Sequence, residues 1–262
     1  MTGIILAAGM GTRLGALTQD RPKAMLEFEG RTLLERQVET YRRCGVERVV
    51  VVGGYRDDTL RCDPRVVRYR NADYDRTNMV ESLMCARAEL DGPVLLSYGD
   101  VLFEDRVLRA AIEAPSAVGV TVDTDWRDYW RARYGDTTTD TETLELAGGR
   151  ITRIGQPDPG PDEIDARYVG LLRFSRDGIA AMLDVYDRAR AAHLGRPWQT
   201  SRRFEQGYLT DLLQEAIDQG VAVEPVVTRR GWLEFDTTDD YRLATTWARE
   251  GRLAEFCALE MG

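Results

Sequence analysis

Glycine, arginine and lysine residues near the N-terminus are spaced in a way that suits the binding of phosphate groups. Gly9 and Gly11 are followed by Arg13, and Lys23 comes directly after Pro22. Glycines let backbone N–H groups approach phosphate oxygens closely. A planar arginine side chain can clamp two such oxygens, and a lysine adds a compact positive charge. The pattern therefore predicts a phosphate site in which Arg13 and Lys23 are the candidate catalytic residues.

The same stretch excludes two other nucleotide-binding motifs. A dinucleotide-binding loop needs a third glycine, but that position is Leu14, and the second predicted strand ends without the acidic residue that would bind a ribose. A Walker loop needs a glycine directly before its lysine, whereas Pro22 precedes Lys23. We therefore expect a nucleoside triphosphate that is consumed, not a bound dinucleotide cofactor. The alternative is a glycine turn that caps a helix, with both charged side chains in solvent.

Composition and charge exclude several classes of partner. The chain has 262 residues, a net charge of −9 and a pI near 4.9. No nucleic-acid partner is expected, because phosphate backbones require a basic surface. The four cysteines are far apart and the single histidine stands alone, so the usual zinc spacings are absent. The sequence shows no membrane-spanning run and no signal peptide, and we expect a cytoplasmic protein with no membrane partner.

Apolar runs and helical patterns alternate along most of the chain. Short apolar runs predict buried strands, and the segments between them have apolar residues at helical spacing. This alternation predicts an α/β fold, with a Rossmann-like, mostly parallel sheet flanked by helices. The predicted strands are Ile4–Ala8, Val46–Val52, Val66–Tyr69, Pro93–Tyr98, Ala117–Val122 and Tyr168–Phe174. The predicted helices cover 32–44, 78–90, 105–113, 177–192 and 204–219, and a last one begins near residue 239.

The alternation stops between residues 123 and 168. Gly148 and Gly149 suit a tight turn between two short strands, Thr143–Leu146 and Arg150–Ile154. We interpret this stretch as a β-rich insertion that acts as a lid or acceptor subdomain. A pair of strands, 221–227 and 232–235, is predicted before the last helix. The expected organisation is a single domain of residues 1–250 followed by a C-terminal helical tail, 251–262.

The stretch LAAGMGTRL…RPKAML resembles the signature of the nucleotidyltransferase superfamily, also called nucleoside-diphosphate-sugar pyrophosphorylases. The resemblance runs from residue 2 to about residue 245, and it is tight in the first loop and looser elsewhere. It implies a Rossmann-like domain that transfers a nucleoside monophosphate from a nucleoside triphosphate to a phosphorylated acceptor. It also implies a bound Mg²⁺ ion and the release of pyrophosphate.

The resemblance further implies that two aspartates bind the Mg²⁺ ion. Asp100 and Asp236 match these positions, since each follows a predicted strand and strand ends face the ligand crevice in such folds. Carboxylate, water and phosphate oxygens suit Mg²⁺. The alternative is that each aspartate caps a helix. The assignment of Asp236 also has to compete with Asp239 and Asp240 close by.

Asn78 and Ser82 point to a subgroup of this superfamily. Their spacing resembles the Asn-x-x-x-Ser pattern of phosphocholine cytidylyltransferases and their phosphonate-processing relatives. This resemblance implies that the nucleotide is CTP and that Ser82 and the loop around Ala8 contact the pyrimidine. The nucleotide-binding candidates are Leu6, Ala7, Ala8, Gly9, Gly11, Thr12, Asn78, Ser82, Tyr98 and Gly99.

Aromatic and acidic residues of the insertion are the candidate site for the acceptor. Trp126 and Trp130 lie four residues apart and share one face of a predicted helix. Such a mixture can bind an ammonium head group through cation–π and Coulomb attraction. The alternatives are that this face packs the insertion onto the sheet and that Asp211 caps a helix. The acceptor-binding candidates are Asp123, Asp125, Trp126, Trp130, Tyr168 and Asp211.

The expected function is the transfer of a CMP group from CTP to a small phosphorylated or phosphonate acceptor, such as phosphocholine or 2-aminoethylphosphonate. No general base is required, because such an acceptor is already an anion at neutral pH. Two alternatives stay open. One is a sugar-1-phosphate nucleotidyltransferase with the same catalytic residues, and the other is a regulatory protein that binds a nucleotide without chemistry. The sequence is compatible with a homodimer.

Overall fold

Strands and helices alternate around a central seven-stranded sheet in the computed structural model, which describes residues 1–259. The strands, in chain order, are β1 (Thr2–Ala7), β2 (Glu27–Phe28), β3 (Arg31–Thr32), β4 (Arg48–Gly53), β5 (Val67–Arg70), β6 (Val94–Tyr98), β7 (Val101–Phe103), β8 (Val118–Asp123), β9 (Glu142–Ala147), β10 (Arg150–Pro157), β11 (Arg167–Phe174), β12 (Val223–Thr228) and β13 (Trp232–Glu234). The α-helices are α1 (Leu33–Arg43), α2 (Met79–Cys85), α3 (Asp105–Glu113), α4 (Trp126–Tyr134), α5 (Arg176–His193), α6 (Leu209–Asp218) and α7 (Thr238–Arg249).

The central sheet is mixed but mostly parallel. Its strand order is β12-β8-β11-β6-β1-β4-β5. Parallel pairs join β1 to β4 and β6, β4 to β5, and β12 to β8. Strand β11 runs antiparallel to both β6 and β8. The α/β fold with a mostly parallel sheet, expected from the sequence, is confirmed.

Helices cover both faces of the sheet, and β1 shows why its residues are apolar throughout. Ile5 and Ala7 pack in one core cluster with α1, α3 and α7, while Ile4 and Leu6 pack in another with α2, α5 and α6. Successive side chains of a strand point to opposite faces, so a strand covered on both sides needs apolar residues at every position. The chain leaves this core at the C-terminal end of the strand, where ligands bind in such sheets.

The insertion consists of helix α4 and a β-hairpin. Strands β9 and β10 pair antiparallel. The turn between them contains Gly148 and Gly149, with φ values of 58° and 77°, a backbone conformation that glycine adopts at little steric cost. The hairpin expected from the glycine pair is therefore confirmed. It packs against α6 through strand β10.

The two strands predicted at 221–227 and 232–235 join different sheets. Strand β12 forms the edge of the central sheet beside β8, and β13 pairs antiparallel with β7, a strand that the sequence did not reveal. The apolar residues of β7 and β13, including Phe103 and Trp232, are buried by pairing with each other.

The end of the chain is less helical than expected. After α7 it forms one 3-10 turn, Leu253–Glu255, and Phe256 and Cys257 are buried against the core. The helical tail predicted for 251–262 is limited to that turn up to residue 259, and residues 260–262 lie outside the described part of the chain. In residues 1–259, none of the helices has the length and apolar character needed to cross a membrane.

Candidate active site

A cavity of about 310 Å³ lies where strands β1 and β6 end. The first loop, the start of α2 and the segments after β6 and β13 form its walls. It is lined by all the nucleotide-binding, catalytic and metal-binding candidates of the sequence: Leu6, Ala7, Ala8, Gly9, Gly11, Thr12, Arg13, Lys23, Asn78, Ser82, Tyr98, Gly99, Asp100 and Asp236. The fold thus brings these residues together, and their individual roles stay predictions.

Gly11 and Gly9 differ in what they do for the first loop. Gly11 has a φ of +62°, and its carbonyl accepts hydrogen bonds from the Leu14 N–H (3.0 Å) and the Thr18 hydroxyl (2.8 Å). A Cβ atom at this position would lie 3.1 Å from Cβ of Lys23. At Gly9, a Cβ atom would have no neighbour within 4 Å among the described residues. Gly11 is therefore required by the loop itself, whereas Gly9 leaves space in the cavity.

We expect the two glycines to respond differently to alanine. Gly11→Ala should lower the free energy of unfolding by about 1–2 kcal/mol, because alanine is strained in the left-handed region. Gly9→Ala should leave that free energy within about 0.5 kcal/mol but raise the KM for the nucleotide, because its methyl group projects into the cavity. Urea unfolding and steady-state kinetics check both effects. Equal losses of stability in the two variants would contradict this distinction.

Asp100 and Asp236 are brought together by the pairing of β7 with β13. Asp100 directly precedes β7, and Asp236 follows soon after β13. The antiparallel register places Val101 opposite Glu234. The Phe235 N–H then donates a hydrogen bond to the Asp100 carbonyl, at 2.9 Å. Two carboxylates that are far apart in sequence therefore meet at the mouth of the same cavity.

The side chain of Lys23 lies between these carboxylates. Its Nζ is 2.5 Å from Oδ2 of Asp100 and 2.7 Å from Oδ1 of Asp236. Nη2 of Arg13 is 2.5 Å from Oδ2 of Asp236. Burial by itself lowers the pKa of Lys23, but the two carboxylates outweigh it and raise that pKa. Burial also raises the pKa of Asp236, against the opposing charge of Lys23. We call these four side chains the charge cluster.

Neither aspartate of the charge cluster caps a helix. Asp100 is followed by strand β7. Before α7 the N-cap is Thr237, whose Oγ1 accepts a hydrogen bond from the Asp240 N–H at 3.1 Å. The Asp240 carboxylate in turn accepts from the Thr237 N–H at 2.8 Å. This capping box leaves the carboxylate of Asp236 to face the cavity, so the helix-cap alternative is excluded for both aspartates.

The oxygen donors of the charge cluster fit a Mg²⁺ ion. Because Nζ of Lys23 contacts both carboxylates at once, Asp100 and Asp236 are close enough for a single cation to touch both. Carboxylate oxygens are hard ligands of the kind Mg²⁺ prefers. Within residues 1–259, no group of three or more histidine, cysteine or acidic side chains is arranged to hold a metal. A Mg²⁺ ion here would take its other ligands from water and phosphate.

Asn78 and Ser82 are held in place where α2 begins. Asn78 is the N-cap of α2, and its Oδ1 accepts a hydrogen bond from the Met79 N–H at 2.9 Å. The Ser82 hydroxyl donates to the Asn78 carbonyl at 3.1 Å and accepts from Nδ2 of Asn71 at 2.9 Å. These bonds give this wall of the cavity a fixed shape, as a selective binding site requires.

The segment that carries Asp100 is fixed from below by the sheet and by α1. Nε2 of Gln37, a buried residue of α1, donates a hydrogen bond to the Tyr98 carbonyl at 2.8 Å. The Gly99 N–H donates to the Leu6 carbonyl, also at 2.8 Å. Both bonds tie the chain just before Asp100 to elements of the core. The carboxylate therefore stands on rigid backbone, as a metal or phosphate site requires.

The two tryptophans predicted to bind the acceptor do not reach the cavity. Trp126 and Trp130 are 1% and 0% exposed, and neither lines it. Their rings meet edge-on with centroids 5.9 Å apart, and Trp130 also packs on Trp232 at 6.4 Å. The acceptor role expected of both is therefore corrected: this face of α4 packs the insertion onto the core, and a buried ring has no face open to a ligand.

Three of the predicted acidic acceptor residues also stand away from the cavity lining. Asp123 is buried and accepts a hydrogen bond from Nε1 of Trp232 at 2.8 Å. Asp211 is buried at the start of α6, where it accepts from the Tyr208 N–H at 2.9 Å, so the helix-cap alternative holds for it. Asp125 is exposed at the N-terminus of α4. The Asp123 and Asp211 carboxylates are occupied by N–H groups of the chain, and Asp125 stays outside the cavity lining, which corrects the expectation that these three residues bind an acceptor there.

Tyr168, the sixth acceptor candidate, does stand beside the cavity. Its ring meets that of Tyr98, a cavity-lining residue, edge-on with centroids 5.7 Å apart. The sequence missed Glu234, which also lines the cavity and pairs with Nη1 of Arg133 at 2.7 Å. The sequence could have indicated Glu234, because it lies two residues before Asp236 at the end of a predicted strand, and residues two apart in extended chain face the same side. The other lining residues that it missed, Ala24, Tyr74, Thr77 and Met79, carry no such pattern.

Comparisons with known proteins agree with this geometry. Residues 3–130 match a family model described as the MobA-like NTP transferase domain. The chain is 31% identical over 252 residues to the CTP:phosphoglutamine cytidylyltransferase of Campylobacter jejuni subsp. jejuni. This match covers 92% of this chain and 97% of that protein. The chain is 30% identical over 177 residues to a UTP–glucose-1-phosphate uridylyltransferase of Haloferax volcanii, over 63% of this chain and 68% of that protein.

A solved structure shares the fold. The CTP:phosphocholine cytidylyltransferase from Streptococcus pneumoniae matches with a TM-score of 0.71 and 20% sequence identity, over 94% of this chain and 98% of that one. At this identity the match supports the architecture alone. The similarity to the C. jejuni protein extends over nearly the whole length of both chains. Together with the cavity and its charge cluster, it shows that the chain belongs to the nucleotidyltransferase family with a MobA-like NTP transferase domain.

Proposed function

We propose that the chain transfers a CMP group from CTP to a small acceptor that carries a phosphate or phosphonate, and releases pyrophosphate. The observation that carries this proposal is the charge cluster, in which Lys23 and Arg13 meet Asp100 and Asp236 at the cavity. Phosphoryl transfer depends mainly on positioning and on neutralising negative charge, which such groups provide. Similarity to the C. jejuni phosphoglutamine cytidylyltransferase supports CTP as the nucleotide.

The proposed reaction is an in-line displacement at phosphorus. An oxygen of the acceptor's phosphate or phosphonate forms a bond to the α-phosphorus of CTP. The bond from that phosphorus to the oxygen bridging the β-phosphate breaks, and pyrophosphate leaves with the electron pair. The attacking oxygen is already ionised at neutral pH, so no side chain has to remove a proton. The chain's task is then to hold two anions together.

Two side chains of the cluster are placed for this task. The Arg13 side chain is 60% exposed, so its guanidinium is accessible to phosphate oxygens that enter the cavity and can bind two of them. Lys23 is buried between the carboxylates, and its ammonium group can form an ion pair with a phosphate that enters the cavity. A Mg²⁺ ion bound by Asp100 and Asp236 would supply the further positive charge that offsets repulsion between the acceptor and the triphosphate.

A sugar 1-phosphate is the second candidate acceptor. The similarity to the H. volcanii UTP–glucose-1-phosphate uridylyltransferase favours it. Such an acceptor would use the same charge cluster and differ only in the head group beyond its phosphate. A regulatory protein that binds a nucleotide without chemistry is disfavoured, because binding alone has no need for Lys23, Arg13 and both aspartates in one cavity.

Pyrophosphate release tests the proposed function. It is measured with CTP, UTP, GTP and dTTP, each against phosphocholine, 2-aminoethylphosphonate and glucose 1-phosphate. We expect release with CTP and an amine-bearing acceptor, and we expect it to stop on addition of EDTA and to return with Mg²⁺. Release with glucose 1-phosphate alone would favour the second candidate. No release in any combination would contradict a catalytic function.

A further inference from the structure

A buried arginine of the insertion binds two carboxylates behind the active-site cavity. Arg133 lies on α4, and its side chain is 1% exposed. Its Nε and Nη2 donate hydrogen bonds to the two carboxylate oxygens of Asp240, at 2.8 and 3.0 Å. Its Nη1 donates to Oε2 of Glu234, a cavity-lining residue, at 2.7 Å. The guanidinium therefore contacts the chain both before and after Asp236.

Asp240 connects this arginine to the backbone of Asp236. Nη2 of Arg133 contacts Oδ2 of Asp240. The same oxygen accepts hydrogen bonds from the Asp236 N–H at 3.2 Å and from the Thr237 N–H at 2.8 Å. The planar fork of a guanidinium fixes both oxygens of a carboxylate at once. Arg133 therefore sets the direction of Oδ2, and this oxygen holds the backbone of Asp236.

Helix α4 also holds the chain on the other side of Asp236. The Glu234 N–H donates a hydrogen bond to the Tyr129 hydroxyl at 3.0 Å. Tyr129 lies four residues before Arg133, so the two side chains share one face of α4. A single helix face therefore fixes the segment that carries Asp236, a residue whose carboxylate faces the cavity.

Aromatic rings of α4 surround the guanidinium. Cζ of Arg133 lies 4.7 Å from the ring centroid of Trp130, and 4.9 and 5.3 Å from those of Tyr134 and Tyr129. Cation–π attraction of this kind is stronger when water is excluded. The sequence predicted that Trp130 binds the ammonium group of an acceptor. In the fold, Trp130 instead helps to hold a cation that belongs to the chain itself.

We propose that Arg133 is a positioning residue for Asp236 and acts on it through Asp240. This inference rests on the part of the proposed function in which Asp100 and Asp236 bind the Mg²⁺ ion. A metal site needs ligands with a fixed orientation, and the groups that hydrogen-bond behind the ligands supply it. The insertion then contributes to the reaction through a buried side chain that does not line the cavity.

Arg133→Lys tests the proposal, because it keeps the positive charge and removes the fork. An ammonium on a flexible stem cannot reproduce the planar contacts with Asp240 and Glu234. We expect the Kd for Mn²⁺ to rise by about tenfold to a hundredfold, the usual cost of losing a group that orients a metal ligand. The electron paramagnetic resonance signal of unbound Mn²⁺ measures it without nucleotide or acceptor. The kcat for pyrophosphate release should also fall, and a higher Mg²⁺ concentration should restore part of it.

Arg133→Met separates orientation from charge. Removing a positive charge near the carboxylates would by itself strengthen the binding of a cation. A positioning residue has the opposite effect, so we expect weaker Mn²⁺ binding in Arg133→Met as well. Tighter Mn²⁺ binding in Arg133→Met, or unchanged binding in Arg133→Lys, would overturn the proposal. If Arg133→Met fails to fold, as thermal unfolding would show, Arg133→Lys decides the question.

Two controls come from the same helix. Arg131→Lys is matched in chemistry, because Arg131 is exposed and pairs with Asp128 at 2.9 Å. It should change neither the Kd for Mn²⁺ nor kcat. Trp126→Ala removes a buried side chain whose indole N–H has no hydrogen-bond partner. It should lower stability and leave the Kd for Mn²⁺ unchanged. An equal loss of Mn²⁺ affinity in Trp126→Ala would show that Arg133 acts only through stability, and would overturn the proposal.

The outcomes separate this inference from the proposed function. If the unchanged protein releases pyrophosphate but binds no Mn²⁺, or if Arg133→Lys binds it equally well, the positioning role is overturned and nucleotide transfer stands. If Arg133→Lys weakens Mn²⁺ binding but no combination of nucleotide and acceptor gives pyrophosphate, the catalytic function is contradicted. The role of Arg133 in orienting a metal ligand would then still hold.

Discussion

Replacing Lys23 with methionine is expected to lower kcat by about 10²–10³-fold, the usual cost of losing one charge that stabilises a transition state. Lys23 lies within hydrogen-bond distance of Asp100 and Asp236, at the place where phosphates would enter. Pyrophosphate release at saturating CTP and acceptor measures the effect. Arg21→Met is the matched control, because Arg21 lies in the same loop but pairs with Asp20 at the surface. An unchanged kcat in Lys23→Met would remove Lys23 from the mechanism.

The same variant has a second, independent readout in its stability. Without Lys23, the partly buried carboxylate of Asp100 loses its cation and Asp236 keeps only the exposed Arg13. Breaking a buried ion pair costs up to about 3–5 kcal/mol. We expect this loss of unfolding free energy in EDTA. We also expect Mg²⁺ to restore part of it, because a divalent cation that binds both carboxylates stabilises the folded state. Equal stability of Lys23→Met with and without Mg²⁺ would argue against a metal site at these aspartates.

Trp126→Ala is expected to lower the free energy of unfolding by about 3–5 kcal/mol, the range for removing a large buried aromatic side chain. Trp126 is 1% exposed and packs edge-on against Trp130 in the core. Since the net stability of a domain is about 5–15 kcal/mol, this single change should be visible as a large shift in a urea or thermal unfolding curve. The KM for the acceptor, measured well below the unfolding midpoint, should not change.

Trp126→Phe is the matched control for that experiment. It keeps most of the ring volume and removes an indole N–H that has no hydrogen-bond partner. It should therefore cost much less than the alanine variant. A rise in the acceptor KM in both variants, with little loss of stability, would show that the ring binds the acceptor after all and that its packing is secondary.

Local sequence was sufficient to predict which residues of the first loop line the cavity. Gly9, Gly11, Arg13 and Lys23 lie close together in one loop after the first strand, so their spacing alone limits what they can bind. The end of a parallel strand is likewise a position that sequence patterns reveal, which is why Asp100 could be placed in the same crevice. The structure brings all of these residues to one cavity.

The position of Asp236 needed long-range structure. Its place in the cavity depends on the pairing of β13 with β7, which the sequence did not indicate. Its availability depends on Thr237 and Asp240, which form the helix cap between them. From the sequence, resemblance to a family favoured Asp236, but several residues of this acidic stretch had suitable chemistry. Only the hydrogen bonds of the folded chain distinguish them.

The sequence by itself determined the fold class and the loop that predicts a triphosphate site, because glycine conformation, strand burial and charge spacing are local properties. Only the tertiary structure decided which aromatic and acidic residues are free to meet an acceptor. Tryptophan and aspartate serve equally well in packing and in binding, so residue type cannot separate the two uses. Burial removes Trp126 and Trp130 from the cavity, and hydrogen bonds from other parts of the chain occupy the carboxylates of Asp123 and Asp211.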